Sequence, residues 1–225
     1  RPIQVTGGET EVQVLSEMTP VKVEASEGAT ISVDLNDYSK PSNPLTGAYP
    51  SLLPEGITYD ESTHTFSGTP KKVGTYRIPV KARYENLYGT DEANGEVVIT
   101  VTESPVAIEI SNKEQTVTVG DAITPAVVTH NNLSTVTMKT PYGLVEESEI
   151  NALIAEYGLT YDPATKTFTG TPTKAGSFTI RMQATNPAEV GGASALDTFT
   201  LTVNLKAEKD LDLTVSGGRQ LITLG

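Results

Sequence analysis

The sequence predicts an all-β protein with two tandem β-sandwich domains, and three observations lead to this fold class. A 20-residue segment that begins at Ile57 recurs at Leu159 with 11 identical positions and an offset of 102 residues, about the length of one sandwich. Short runs rich in Val, Ile and Thr alternate with turn residues along most of the chain. The chain contains no cysteine, so each domain depends on the burial of its own core.

In the first copy, short alternating runs predict strands over residues 12–15, 21–24, 31–34, 77–84 and 96–101. The repeated segment has a structural interpretation of its own. Asp60 and Asp162 each begin a turn in which the carboxylate accepts backbone N–H groups, and the chain then extends toward Phe66 or Phe168. The Gly-Thr-Pro triplets at 68–70 and 170–172 predict a second corner.

In the second copy, residues 145–157 place apolar side chains near helical spacing among glutamates and stop at Gly158, which predicts a short amphipathic helix. Residues 28–31 match residues 120–123 at a smaller offset, so we expect this helix to be an insertion of about ten residues. The predicted core of this copy contains the following side chains: Val117, Ile123, Val127, Val128, Phe168, Phe178, Ile180, Met182, Phe199, Leu201 and Val203.

These patterns predict three units. Residues 1–104 form the first sandwich, residues 105–205 the second, and residues 206–225 the first strand of a third repeat, because 213–225 match 108–120 in their apolar positions. The first boundary is placed at Ser104 and Pro105, where one strand ends and a proline opens the next unit.

The charge of the chain excludes some partners. A formal net charge of −12 with only 16 Lys and Arg disfavours nucleic acids and anionic membranes, both of which bind basic surfaces. The sequence contains no run of 18 apolar residues, so insertion into a membrane is not expected for this segment. The composition is typical of an extracellular β-protein, and a monomer is expected.

Residues 53–76 follow the pattern Leu-Pro-x-Gly-Ile-Thr-Tyr-Asp-x-x-Thr-x-x-Phe-x-Gly-Thr-Pro-x-x-x-Gly-Thr-Tyr. This pattern resembles the immunoglobulin-like, cadherin-like repeat of bacterial surface proteins, which is related to the dystroglycan-type cadherin fold, and the resemblance covers both copies. It implies immunoglobulin-like (Ig-like) sandwiches in a modular exported protein, usually a cell-surface adhesin. In such a protein these units act as stalk, spacer or binding head.

Some cadherin-like relatives bind calcium through clustered aspartates, and Ca²⁺ requires six to eight oxygen ligands. The candidates in this chain are Asp34 and Asp37 with Asn36, then Asp91 and Glu92, and lastly Asp210 and Asp212. The second copy has Val127 to His130 where the first is expected to have the Asp34 cluster. Solvated acidic loops are therefore favoured, and no cofactor or metal is predicted.

Catalytic motifs are not found. The two histidines, His64 and His130, are expected to be exposed loop residues, and the sequence contains no Gly-x-Ser-x-Gly, His-Glu-x-x-His or phosphate-binding glycine loop. The chain is therefore predicted not to be an enzyme.

A basic strand is the main candidate for ligand binding. Arg77, Lys81 and Arg83 alternate with apolar residues, and Tyr84 and Tyr88 follow them. The second copy has uncharged residues at the positions of Lys81 and Arg83, so the fold does not require these charges. One interpretation is an ordinary solvated face with charges balanced by acidic neighbours.

The other interpretation is a site for an acidic glycan. Residues 82–84, Ala-Arg-Tyr, resemble the aromatic-Thr-Arg motif of sialic-acid-binding modules of streptococcal serine-rich-repeat adhesins, although Lys81 replaces the aromatic residue and Ala82 the threonine. A guanidinium group suits a sugar carboxylate, and a tyrosine ring suits stacking on a sugar.

The predicted function is a non-enzymatic stalk or adhesion module of a bacterial cell-surface adhesin, located outside the cell. Its partner would be a protein or glycan on a host cell or a neighbouring cell. Two alternatives remain open. One is a carbohydrate-binding head that uses the Arg83 face, and the other is an accessory module of a secreted polysaccharide-degrading enzyme.

Overall fold

The computed structural model describes residues 3–208, whose strands fall into two groups. The first group contains β1 (Val5–Thr6), β2 (Gly8–Gln13), β3 (Val21–Lys22), β4 (Glu24–Ala25), β5 (Thr30–Val33), β6 (Ile57–Asp60), β7 (Thr65–Gly68), β8 (Gly74–Asn86) and β9 (Gly89–Thr102). The second group contains β10 (Ile108–Ile110), β11 (Glu114–Thr118), β12 (Ala126–His130), β13 (Thr135–Thr140), β14 (Gly143–Glu146), β15 (Leu159–Asp162), β16 (Thr167–Gly170), β17 (Gly176–Thr185) and β18 (Ser194–Asn204). The proposed third repeat lies, from residue 209 onward, outside the described residues.

Each group forms a sandwich of two main sheets. In the first, a four-stranded sheet β2-β9-β8-β5 faces a three-stranded sheet β3-β7-β6, with the small pair β1-β4 beside them. In the second, a five-stranded sheet β11-β18-β17-β13-β14 faces a four-stranded sheet β10-β12-β16-β15. β2 runs parallel to β9, as β11 does to β18. The prediction of two tandem all-β sandwiches is confirmed.

The core of the first sandwich draws side chains from both of its main sheets. Val12, Ile78 and Val97 come from the four-stranded sheet, and Ile57 and Phe66 from the opposite sheet, and all five belong to one buried cluster. Because strand side chains alternate between faces, the charged neighbours of these residues on β8 point to solvent.

The core of the second sandwich contains most of the predicted residues. Val117 and Phe178 are only partly buried, and Val127 lies outside the cluster. The prediction missed Leu159 and Tyr161 of the repeated segment, which are both buried. The buried residues that were predicted are Ile123, Val128, Phe168, Ile180, Met182, Phe199, Leu201 and Val203.

The repeated segment forms the same frame in both sandwiches. Asp60 Oδ1 accepts the N–H of Ser62 at 2.8 Å, and Asp162 Oδ1 accepts the N–H of Ala164 at 2.9 Å, which confirms both aspartates as turn residues. These hydrogen bonds hold the pKa of each carboxyl below its ordinary value; the hydroxyls of Ser62 and Thr165 contribute most, and the backbone N–H groups add to this.

The turn closes on a residue with left-handed backbone. His64 has φ 54° and Lys166, at the equivalent position, has φ 52°. The carbonyl of each accepts an N–H at 2.8 Å from the neighbouring segment, from Val23 in the first sandwich and from Val128 in the second. The position is therefore set by the backbone, which explains why two different side chains occupy it.

Two equivalent glycines, one in each sandwich, let the backbone cross itself closely. A Cβ atom at Gly56 would lie 1.9 Å from the carbonyl oxygen of Thr69, and one at Gly158 would lie 2.2 Å from that of Thr171. Both glycines also have positive φ. Any other residue would separate the two segments that form this corner.

The helix is present, but the expected insertion is wrong. In the two sandwiches, Ile31 pairs with Ala82 and Val136 with Ala184, so Ile31 corresponds to Val136 rather than to Ile123. Residues 34–56 of the first sandwich therefore correspond to residues 139–158 of the second. The helix replaces a loop of similar length. The match of residues 28–31 with residues 120–123 joined two turns that are not equivalent in the fold.

The replacing segment contains β14, a short α-helix α1 (Ile150–Ile154) and flanking 3₁₀ turns at Glu147–Glu149 and Ala155–Tyr157. Ile150 and Ile154 are buried in the core, and Gly158 ends the segment with φ 77°. The prediction of a short amphipathic helix is confirmed, because one face of α1 packs against the core of the second sandwich.

Candidate functional site

The basic strand lies on β8, on the solvent face of the four-stranded sheet. Each of its cations contacts a carboxylate: Arg77 Nη1 lies 2.9 Å from Glu96, Lys81 Nζ 3.4 Å from Glu92, and Arg83 Nη2 2.8 Å from Glu85. Three carboxylates match these three cations, and Glu9 and Glu11 of β2 are exposed on the same face, so the face carries no net positive charge. Exposed ion pairs of this kind contribute about 0–1 kcal/mol each, so they balance the charge of the face more than they stabilise the fold.

The two tyrosines do not join this face. Tyr84 points to the opposite side of β8, where the edge of its ring would lie 3.1 Å from a Cβ atom at Gly28. Tyr88 lies at the tip of the β8–β9 hairpin and is 98% exposed. The predicted glycan site requires a guanidinium group and an aromatic ring on the same face. The structure places neither tyrosine on the face of Arg83. The assignment of these five residues as a binding site stays a prediction.

The first acidic candidates hold their own loop. Asp34 accepts the N–H of Asn36 at 3.0 Å and the hydroxyl of Tyr38 at 2.8 Å, and these contacts lower the pKa of its carboxyl. Asp37 accepts the hydroxyl of Ser39 and lies 3.1 Å from Lys40 Nζ, which likewise lowers its pKa. Both carboxylates already have partners within the protein.

The remaining acidic candidates lie on β9 or beyond the described chain. The side chain of Glu92 contacts Lys81. Asp91 lies opposite Tyr84 in the backbone register of the β8–β9 hairpin. Between residues 3 and 208, no group of three His, Cys, Asp or Glu side chains is arranged to hold a metal ion. Asp210 and Asp212 lie outside the described residues.

The histidines are half-buried rather than exposed, which corrects the sequence expectation. His64 Nδ1 lies 3.0 Å from the hydroxyl of Tyr59, and His130 Nδ1 lies 2.8 Å from Ser134 Oγ. Both rings serve as hydrogen-bonding groups within turns, and neither has a nucleophile and a carboxylate arranged around it for catalysis.

A polar network missed by the sequence analysis lies beside the helix. Glu147 accepts the hydroxyl of Tyr161 at 2.5 Å and lies 3.0 Å from Lys166 Nζ. Burial, reinforced by this carboxylate, raises the pKa of Tyr161. Tyr161 and Lys166 belong to the repeated segment, but Glu147 belongs to the replaced one, so no comparison of the copies pointed to this network.

The joint between the sandwiches is held by contacts from both domains. Its central element is the docking loop, residues 186–193, which connects β17 to β18 and contains a 3₁₀ helix at Ala188–Val190. Val190 is 6% exposed and belongs to the buried cluster of the first sandwich. The burial of one valine side chain contributes about 1.5–3 kcal/mol.

Backbone hydrogen bonds join the docking loop to the first sandwich. The N–H of Val73 donates to the carbonyl of Glu189 at 2.9 Å, and that of Ser104 donates to the carbonyl of Val190 at 3.0 Å. Gly191 has φ 114°, and a Cβ atom there would lie 2.5 Å from the side chain of Glu103. The loop therefore approaches the first sandwich through both its backbone and an apolar side chain.

The connecting segment, residues 103–107, is bound in turn by the second sandwich. Asn186 is buried, and its Nδ2 donates to the carbonyls of Ser104 at 3.0 Å and Pro105 at 3.3 Å. Its Oδ1 accepts Nδ2 of Asn131 at 2.8 Å, and Asn131 Oδ1 accepts the N–H of Ala107 at 3.2 Å. These bonds restrict the backbone that a flexible linker would leave solvated.

No helix described between residues 3 and 208 is long and apolar enough to cross a membrane.

Comparison with known proteins finds a family model that matches the first sandwich and adhesins that are similar to most of the chain. Residues 11–102 match the family model described as "Putative Ig domain". The "Serine-rich adhesin for platelets" of Staphylococcus aureus strain N315 is 28% identical over 223 residues, which cover 96% of this chain and 8% of that protein. The protein of the same name from strain MRSA252 is 27% identical, with 96% of this chain and 14% of the relative covered. The chain thus spans only a small part of these relatives.

Solved structures with tandem β-domains are also similar. The titin domains Z1Z2 in complex with telethonin have a TM-score of 0.42 and 14% identity, over 92% of this chain and 95% of that one. Drosophila N-cadherin EC1-3 has a TM-score of 0.33 and 12% identity, over 92% of this chain and 68% of that one. The family model and the adhesin relatives support the assignment made from the repeated motif, Ig-like domains of bacterial cell-surface adhesins.

Proposed function

We propose that this chain is a stalk segment of a bacterial cell-surface adhesin, in which two Ig-like sandwiches are held end to end as a spacer without enzymatic activity. The observation that carries the proposal is the joint, where Val190 of the second sandwich is buried in the core of the first. A stalk needs joints that resist bending, and this one combines an apolar anchor with hydrogen bonds on both sides of the connecting segment.

The surface chemistry supports a spacer over a binding head. The face of the basic strand has no net positive charge, so it provides no positive field to attract an acidic glycan. The similarity to serine-rich adhesins supports a location on the outer cell surface, where other parts of such a protein would contact the host molecule. The same similarity favours an adhesin over an accessory module of a polysaccharide-degrading enzyme.

The test measures the joint in the whole chain. Because the chain has no cysteine, Glu11→Cys and Thr202→Cys introduce one spin label in each sandwich at exposed positions. Pulsed electron paramagnetic resonance should give one long, narrow distance distribution. Val190→Asp should broaden it, because a charge in the apolar core of the first sandwich releases the docking loop.

The matched control is Tyr88→Ser, which changes the equivalent hairpin position of the first sandwich and should leave this distribution unchanged. Circular dichroism establishes that each variant keeps its β-structure. A broad distribution in the unsubstituted chain, or a short distance between the sandwiches, would contradict the stalk.

A further inference from the structure

The hairpin tip of the first sandwich, Leu87 and Tyr88, occupies the position that forms the joint in the second. Arg83 pairs with Glu92 at the base of one hairpin, and Thr185 pairs with Ser194 at the base of the other. Residues 84–91 therefore correspond to the docking loop, residues 186–193, with equal length. At this offset Tyr88 takes the place of Val190.

The two segments differ in conformation and exposure. Residues 84–91 continue the strands as far as the pair of Asn86 with Gly89, whereas the docking loop folds into a 3₁₀ helix. Leu87 is 99% and Tyr88 98% exposed, while Val190 is 6% exposed. A two-residue hairpin turn normally carries Gly, Asn or Asp, so two large apolar side chains there are not explained by the turn.

An open cavity lies beside the strands that lead to the tip. This cavity of about 660 Å³ is lined by Ile3, Ser26, Glu27, Tyr84 and Asp91 among others. Tyr84 takes the place of Asn186, the residue that binds the connecting segment in the existing joint. The cavity of the first sandwich therefore lies at the place where the second sandwich binds the connecting segment, residues 103–107.

We propose that Leu87, Tyr88 and this cavity form the docking surface for the C-terminal end of another Ig-like sandwich of the same family, joined in series ahead of this one. The inference rests on the proposed stalk function and extends the established joint by one unit. Glu27 and Asp91 are acidic, so the docking end of the partner should be neutral or basic there. The apolar tip would enter it as Val190 enters the first sandwich.

The test uses a fusion protein in which an added copy of residues 1–105 precedes the full chain, so that Arg1 follows Pro105 in the place of Val106. Glu11→Cys in both copies of the first sandwich reports on the new joint. Glu11→Cys in the original copy with Thr202→Cys reports on the existing joint in a separate sample. The expected result is a narrow distance distribution at the new joint. This narrow component should be lost on Leu87→Ser with Tyr88→Ser in the original copy.

The matched control is Tyr142→Ser, which removes an equally exposed tyrosine from the tip of the β13–β14 hairpin and should change neither distribution. A broad distance distribution at the new joint, or a narrow one that the tip substitutions leave unchanged, would overturn the inference. If the distribution at the existing joint is narrow in that case, the proposed stalk function still holds. If light scattering shows that the unfused chain self-associates through the tip, the surface is a contact between copies and the inference is wrong. Broad distributions at both joints would contradict the stalk itself.

Discussion

Residues 34–56 of the first sandwich and residues 139–158 of the second connect the same two strands of the same frame, yet they contribute differently to stability. The first connection is an irregular loop with side-chain turns at Asp34, Asp37 and Asn43. The second forms β14 and α1 and places Ile150 and Ile154 in the core. Leu35, Leu52 and Leu53 of the first connection pack against the core but stay only partly buried. A sandwich edge can therefore be completed by an irregular loop with partly buried side chains or by a helix with fully buried ones.

The difference extends to how each connection is fixed. In the second sandwich, Asn151 bonds both the N–H and the carbonyl of Tyr161 at 2.6 Å, which ties the helix to β15. In the first, Tyr38 and Tyr49 contact each other edge to face at 4.8 Å, and both lie largely at the surface. The first connection is thus expected to exchange its amides faster than the second.

The largest expected effect tests whether the shared frame is equally important in both sandwiches. Phe66 and Phe168 are equivalent and fully buried, so Phe66→Ala and Phe168→Ala should each lower the free energy of unfolding by about 3–5 kcal/mol. Hydrogen exchange followed by mass spectrometry assigns the loss to each sandwich. Because Val190 belongs to the first core, unfolding of the second sandwich should also weaken the first. A loss confined to one of the two variants would contradict an equivalent frame.

A smaller effect should separate the two connections. Ile154→Ala removes a buried side chain and should cost about 2–5 kcal/mol in the second sandwich, whereas Leu45→Ala should change stability by no more than about 0.5 kcal/mol, because Leu45 is 93% exposed. Calorimetric unfolding of the whole chain measures both. A large loss for Leu45→Ala would mean that the irregular loop packs against something other than its own sandwich.

The sequence predicted what both copies repeat. Asp60, Asp162 and the glycine corners have a local mechanism that a turn residue reveals, and the alternation of apolar residues located most of the core. The correspondence between the copies failed upstream of the motif, because short turn-and-strand patterns match by chance. Strand pairing, which places Ile31 opposite Ala82, was needed to correct it.

The joint was only partly predictable. Pro105 marked the boundary between the two units, but nothing local shows that Val190 is buried in a neighbouring domain, since that depends on the surface it meets. The sequence contained one signal that the β17–β18 connection differs from a regular hairpin. Pro187 lacks an N–H for the ladder, and Gly191 and Gly192 adopt φ 114° and 67°, so the hairpin cannot continue as it does at Tyr84 to Asn86. The predicted site on β8 relied on strand spacing, which does not reveal that each cation has an acidic neighbour.

The smallest expected effect concerns acid stability of the repeated turn. Asp60 and Asp162 have folded-state pKa values below the ordinary value, so the stability they contribute is complete above about pH 4 and is lost as the pH falls through the folded-state pKa. Asp60→Asn and Asp162→Asn should each flatten this acid dependence, measured as the midpoint of urea unfolding between pH 2 and 7. Glu61→Gln is the control, because among the described contacts its exposed carboxylate accepts no hydrogen bond. At neutral pH both variants can keep the turn: in Asp60→Asn the amide oxygen can accept both bonds from Ser62, and in Asp162→Asn the amide oxygen can accept the N–H of Ala164 while the amide N–H donates to the hydroxyl oxygen of Thr165. Both variants should therefore lose little stability at neutral pH, and an acid dependence that persists unchanged in both would show that other carboxylates cause it.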